Sequence, residues 1–132
     1  MELYEVTVQQ GQDIKNVLRT FIQAQGWTAV IIIGAIGSVQ SIEFNTPRDD
    51  SIPMNLANHG YAHAAEVVSF VGEVMTWEHT DKFLQQAYKD SNDALFIHIH
   101  ASVATADGSV IGGGLVSGKA FRALRIFMTP EH

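Results

Sequence analysis

The sequence has no cysteine, which excludes a disulfide framework and any thiolate chemistry. Long apolar runs are missing too: the longest, residues 29–33, resumes after Gly34 for only two residues, whereas a membrane-spanning helix needs roughly 20. The opening residues, MELYEVTV, have neither the basic nor the apolar region of an export signal. We therefore expect one cytoplasmic domain over residues 1–132 that makes no contact with a membrane.

Basic residues are few and scattered. Eight Lys and Arg residues stand against fourteen Asp and Glu residues, which gives a formal net charge of −6. Affinity for nucleic acid comes from clustered basic side chains that displace counterions from phosphates. The nearest approach to a cluster is formed by Lys119, Arg122 and Arg125. Direct binding of DNA by this chain alone is therefore disfavoured.

One amphipathic helix stands out near the N-terminus. Asp13 is placed to cap it and Gly26 to end it, so we predict a main helix over residues 13–25. Its apolar residues recur at helical spacing and form a single stripe, which favours packing against a sheet. The stripe consists of Ile14, Val17, Leu18, Phe21 and Ile22.

Most of the remaining chain has strand character. The segment Trp27–Ile33 is rich in β-branched residues and predicts a strand buried on both faces. Gly34 and Gly37 interrupt this run before a further strand, and such a glycine pair predicts a bend or a close backbone approach. We expect an irregular connection over residues 45–60, a short helix within residues 78–93, and a turn at residues 117–119. The other predicted strands are Leu3–Val8, Ser38–Phe44, Ala62–Thr76 and Ala120–Met128. This order predicts an α+β fold with a largely antiparallel sheet.

The segment Ala94–Val116 contains the clearest site chemistry. Alternation puts His98 and His100 on one face of a strand, and Ala106-Asp107-Gly108 predicts a tight turn. With a three-residue loop, Thr105 opposes Ser109 and His100 opposes Gly114. We therefore predict a pocket at this corner of the sheet. Its candidate residues are Glu66, His98, His100, Gly112, Gly113 and Gly114.

The pair His98 and His100 has the spacing of two imidazoles that could share a transition metal such as Zn²⁺. Two ligands do not complete a catalytic zinc site, which usually takes three protein ligands. A third would have to be His59, His63, His79, Glu66 or a group from another subunit. The alternative is that both histidines form hydrogen bonds in a pocket or interface.

Glu66 is an acid among apolar neighbours, so we expect it to be buried. Structural pairing, within the sheet or across a subunit contact, is the favoured role over that of a catalytic carboxylate. No G-x-S-x-G motif and no serine relay is visible. The residues thus favour a binding module over an enzyme.

Six short motifs, taken in order, resemble those of the PPC domain, which occurs in plant AT-hook nuclear proteins and in stand-alone prokaryotic proteins. They are residues 11–14 (GQDI), 34–38 (GAIGS), 66–72 (EVVSFVG), 98–100 (HIH), 107–108 (DG) and 111–115 (IGGGL). The resemblance covers nearly the whole chain.

This resemblance implies an α+β domain that forms a homotrimer and contacts other regulatory proteins. The resemblance also implies a DNA-binding or transcription-associated role, because stand-alone members of the family are commonly described in this way. Two departures matter: the family pattern G-G-H-L has Gly114 in place of its histidine, and a family-type acid is missing from residues 122–126. That histidine, with His98 and His100, would complete the three-nitrogen cluster suspected of holding metal in some relatives. A metal-binding protein or metal-dependent enzyme is therefore the alternative hypothesis.

Overall fold

The computed structural model describes residues 1–131 and contains one antiparallel sheet with two helices. The six strands lie in the order β1-β6-β5-β4-β2-β3, and β6 also pairs with β2. The elements are β1 (Tyr4–Gln9), α1 (Ile14–Gln25), β2 (Ala29–Pro47), β3 (Leu56–Tyr61), β4 (Ala65–Met75), α2 (Lys82–Ala87), β5 (Phe96–Ala104) and β6 (Val110–Pro130), with a 3-10 turn at Trp77–His79. The predicted α+β, sheet-dominated class is confirmed.

Four of the strands pair in a closed ring. β2 pairs with β4, β4 with β5, β5 with the first part of β6, and β6 with β2 along most of its length. The apolar core fills the interior of this ring and extends under α1. β1 and β3 are added to β6 and β2 and form the edges of the sheet. Side chains that point outward from the ring strands are therefore not part of this core.

The main helix is confirmed with its predicted ends. The carboxylate of Asp13 accepts a hydrogen bond from the amide of Asn16, and Gly26 ends the helix with a φ of 72°. Ile14, Leu18 and Ile22 are fully buried, while the other two members of the stripe are half-buried. The helix packs on β6 and β1, as an apolar stripe requires. No helix among residues 1–131 is long and apolar enough to cross a bilayer.

The predicted strand ends near Gly37 and at residues 117–119 are wrong, whereas the bend and close backbone approach expected at the glycine pair are confirmed at Gly37. β2 continues through Gly34 and Gly37, and β6 continues through residues 117–119, where we expected a turn. The β2–β6 register shifts between Ile32 and Gly34 and again between Gly37 and Val39. Such irregularities bend a strand without ending it. Gly37 has a φ of 142°, and a β-carbon there would lie 2.1 Å from the carbonyl oxygen of Ala123, so the bend requires glycine.

The segment 45–60 is also more regular than predicted. β2 extends to Pro47, and β3 returns beside it, so that only residues 48–55 are irregular. β3 is an exposed edge strand, and its polar sequence lacks the apolar alternation of a half-buried strand. The expectation that residues 27–33 are buried on both faces is wrong for Ile33, which is 41% exposed. The short helix predicted within residues 78–93 is confirmed as α2.

Candidate functional site

The β5–β6 hairpin has the predicted turn and register. The amide of Thr105 donates to the carbonyl oxygen of Ser109 at 2.8 Å, and Gly108 has a φ of 84°. The carboxylate of Asp107 accepts hydrogen bonds from the Ser109 amide and the Thr105 hydroxyl, both at 2.9 Å. These hydrogen bonds lower the pKa of Asp107 below its usual value, and the bond from the Ser109 amide has the largest effect. The hairpin thus fixes the pairing of His100 with Gly114.

Both histidines lie on the outer face of β5. Ile99, Ala101 and Val103 point into the core, while His98 and His100 alternate with them on the other side. The two imidazole rings meet edge to face, with their centroids 5.0 Å apart. The prediction that they share one face is confirmed. Phe96 continues this row and is covered by Trp77 and Tyr88.

The neighbouring strand β4 supplies the polar partners of this row. Glu73 lies opposite His98, and its Oε1 is 3.4 Å from the histidine Nδ1. The hydroxyls of Ser69 and Ser102 form a hydrogen bond of 2.7 Å. Val71 lies opposite His100 and is half-exposed. This solvent-facing side of β4 and β5 thus carries two hydrogen-bonded polar pairs and one exposed apolar residue. Such a mixed surface can contact another protein.

Glu66 does not lie beside the histidines. It pairs with Ala104, four residues along β5 from His100, a separation of roughly 13 Å along the strand. The expectation that it is buried within the chain is wrong: its side chain is exposed on the outer face of β4. The carboxylate that does approach the histidines is Glu73, which the sequence analysis missed. Aligning the registers of β4 and β5 across Gly72 and Ile99 would have found it.

The three predicted glycines are explained by close strand packing. A β-carbon on Gly112 would lie 2.4 Å from the carbonyl oxygen of Ala101, and one on Gly113 would lie 2.4 Å from that of Asn45. Gly113 also has a φ of 148°. At Gly114 a β-carbon would lie 2.6 Å from the side-chain oxygen of Asn45. The glycines therefore let β6 pass tightly between β5 and β2.

These residues do not fit a metal ion. Where a third imidazole would begin, at Gly114, the carboxamide of Asn45 fills the space. Across residues 1–131 no group of three or more His, Asp or Glu side chains could hold a metal. The metal-binding alternative is therefore not supported.

A second surface feature lies beyond Glu66. It is an open groove of about 810 Å³, which we call the outer groove, bounded by β2, the start of β4, the β5–β6 hairpin and the middle of β6. Ile36 and Phe121 give it apolar walls, and Glu66 and Arg122 line it as charged residues. The hydroxyl of Tyr61 on β3 holds the hairpin beside it by accepting from the amide of Ala106 at 3.1 Å.

Comparisons with known proteins agree with the sequence resemblance. The model of the Plants and Prokaryotes Conserved (PCC) domain matches residues 1–130. No curated protein matches the chain. A plant- and prokaryote-conserved (PPC) protein from Pyrococcus horikoshii has the same fold with a TM-score of 0.75 and 20% identity, covering 100% of this chain and 80% of that one.

Two further solved structures share this fold. A metal-containing protein from Archaeoglobus fulgidus matches with a TM-score of 0.75 and 24% identity, over 98% of this chain and 79% of its own. A protein from Bacteroides thetaiotaomicron, described as a "putative dna binding protein", matches with a TM-score of 0.74 and 16% identity, over 97% of this chain and 78% of its own. At these identities the likeness concerns the fold.

Proposed function

Because this chain belongs to the Plants and Prokaryotes Conserved domain family, we propose that it is an assembly and binding module that works as a homotrimer. The observation that carries this proposal is the apolar outer surface of its strands. Exposed apolar side chains that are gathered in one place mark interaction sites, and Ile36 and Phe121 share the outer groove. On three strands of the ring, β2, β4 and β6, large apolar side chains are between 36% and 60% exposed: Ile33, Ile36, Val68, Val71, Val110 and Phe121.

The histidine row supports binding rather than catalysis. His98 faces Glu73, and Ser69 faces Ser102, so these polar groups are paired across β4 and β5, whereas His100 faces the apolar Val71. No hydrogen bond joins a serine hydroxyl to a histidine here among the described residues, as a nucleophile and its base would require. We assign this face to contact with a protein surface.

Light scattering of the purified chain at micromolar concentration tests the assembly. We expect a mass of three chains, because burial of the outer apolar residues stabilises the complex. A mass of one chain across the micromolar range would contradict the proposal.

The description of the Bacteroides thetaiotaomicron relative motivates a second candidate role, in which the trimer joins complexes on DNA through regulatory proteins. The net charge of −6 disfavours direct contact with phosphates. A gel-shift assay at low salt checks this part. We expect the chain alone to cause no retardation of duplex DNA, and a salt-sensitive shift would show direct binding instead.

A further inference from the structure

We propose that the tip of the β2–β3 hairpin, residues 48–55, inserts into the outer groove of a second copy of the chain. This inference rests on the proposed self-assembly and names the surfaces that carry it. Both surfaces are exposed in the single chain, and both present apolar side chains together with charged ones.

The hairpin tip presents apolar side chains to solvent. Ile52 is 93% exposed and Met54 is 59% exposed, and Leu56 follows them at the start of β3 with 46% exposed. The loop nevertheless has internal order, because Asp49 accepts hydrogen bonds from the amide of Ser51 at 2.9 Å and from the side chain of Asn55 at 3.2 Å. An ordered loop with an apolar tip loses little conformational entropy when it docks.

The outer groove offers a matching apolar receptor. Ile36 is 60% exposed and Phe121 is 36% exposed at its walls, and Ala64 and Ala106 add small side chains. Small residues beside large apolar ones leave space for the side chain of another molecule. Ile52 has the size and the exposure to fill that space.

The charges of the two surfaces are complementary. The hairpin tip carries Arg48, Asp49 and Asp50, of which Asp49 is already engaged within the loop, and the groove carries Glu66 and Arg122. Of residues 1–131, none forms an ion pair with Arg48, Asp50, Glu66 or Arg122. Docking would place Arg48 near Glu66 and Asp50 near Arg122, and opposite charges at an interface favour one register over others.

A chain cannot place this tip in its own groove. β3 runs from Leu56 at the tip to Tyr61 beside the groove, a span of roughly 17 Å at the rise of an extended strand. The occupant must therefore be another copy. Contact between two different surfaces of identical chains is head-to-tail, and such contacts form a ring when the rotation from one copy to the next closes, as it would in a trimer.

Disulfide trapping tests the contact, because the chain has no cysteine of its own. We expect the double variant Ile52→Cys with Ile36→Cys to form covalent dimers and trimers under mild oxidation, seen on a non-reducing gel. The matched control combines Ile52→Cys with Phe83→Cys, since Phe83 is 76% exposed on α2, outside the groove. The control should stay at the mass of one chain. Equal bands from both pairs would overturn the inference.

Charge reversal gives an independent readout. We expect Glu66→Arg to weaken assembly at least about tenfold, and the addition of Arg48→Glu to restore it, since the pair is then reversed as a whole. Failure of the second change to restore assembly would refute the pairing. Light scattering of the unmodified chain separates the two proposals. A trimer without the trapped disulfide would refute only this contact, whereas a monomer would refute the proposed function as well.

Discussion

The two faces of β5 differ sharply although their residues alternate along one strand. On the inner face, Ile99 and Val103 are at most 2% exposed and belong to the core. On the outer face, His98 and His100 are partly open to solvent and touch each other and β4. The inner face therefore supplies stability, and the outer face can carry recognition at little cost to the fold.

The largest expected effect comes from truncating the inner face. Ile99→Ala removes a buried side chain and leaves a cavity, so we expect it to lower the free energy of unfolding by about 2–5 kcal/mol. The neighbouring outer change His100→Ala should cost less than about 0.5 kcal/mol. Urea denaturation of both variants checks this. Equal losses would show that the outer face is also structural.

A smaller effect is expected where β4 crosses β5. A β-carbon on Gly72 would lie 2.1 Å from the carbonyl oxygen of His98, so Gly72→Ala must push the two strands apart. We expect a loss of about 1–3 kcal/mol, as for overpacked interiors. Gly34→Ala is the matched control, because a β-carbon there meets nothing within 4 Å. A thermal melt in which Gly72→Ala is as stable as Gly34→Ala would contradict the close approach.

The smallest expected effect concerns the anchor just before β5. Arg19 on α1 donates from Nε to Asp93 at 2.7 Å, and Asp93 also accepts from the Leu95 amide at 3.0 Å. The hydrogen bond from Arg19 is the main cause of the lowered pKa of Asp93. The side chains of this pair are only 23% exposed. We expect Asp93→Asn to cost about 1 kcal/mol at neutral pH.

The pH dependence of this anchor has a defined sign. Because its pKa is lowered on folding, Asp93 stabilises the protein above its ordinary pKa near 3.8, and the contribution is lost as the pH falls below that value. Denaturation curves of Asp93→Asn should therefore approach those of the unmodified chain at acid pH. The control is Glu5→Gln at the exposed pair with Arg125, where we expect a smaller change. A constant difference between Asp93→Asn and the unmodified chain from pH 7 to pH 2 would exclude the assignment.

Local signals in the sequence predicted the short-range features. The cap at Asp13 and the stop at Gly26 predicted α1, and the Ala106-Asp107-Gly108 turn predicted the register of His100. Each depends on residues a few positions apart, so no knowledge of the partner strands is needed. The same alternation correctly put both histidines on one face.

The remaining predictions failed because they depend on which strands pair and in what register. The glycine pair indicated a bend or a close approach, but the sequence does not show that β2 continues through Gly37, where the backbone of β6 lies too close for a side chain. Glu66 lies among apolar neighbours in sequence and still faces solvent, because a register shift between Val67 and Ser69 breaks the alternation of β4. Neither effect is visible without the partner strand.

The sequence alone determined the charge, the absence of thiol chemistry, the main helix and the hairpin that pairs His100 with Gly114. The tertiary structure alone decided that Glu73 approaches His98, that Asn45 fills the space at Gly114, and that Glu66 lines a separate groove. The physical reason is that helix caps and tight turns are local in sequence. Contacts between strands depend instead on a register fixed by the closure of the whole sheet.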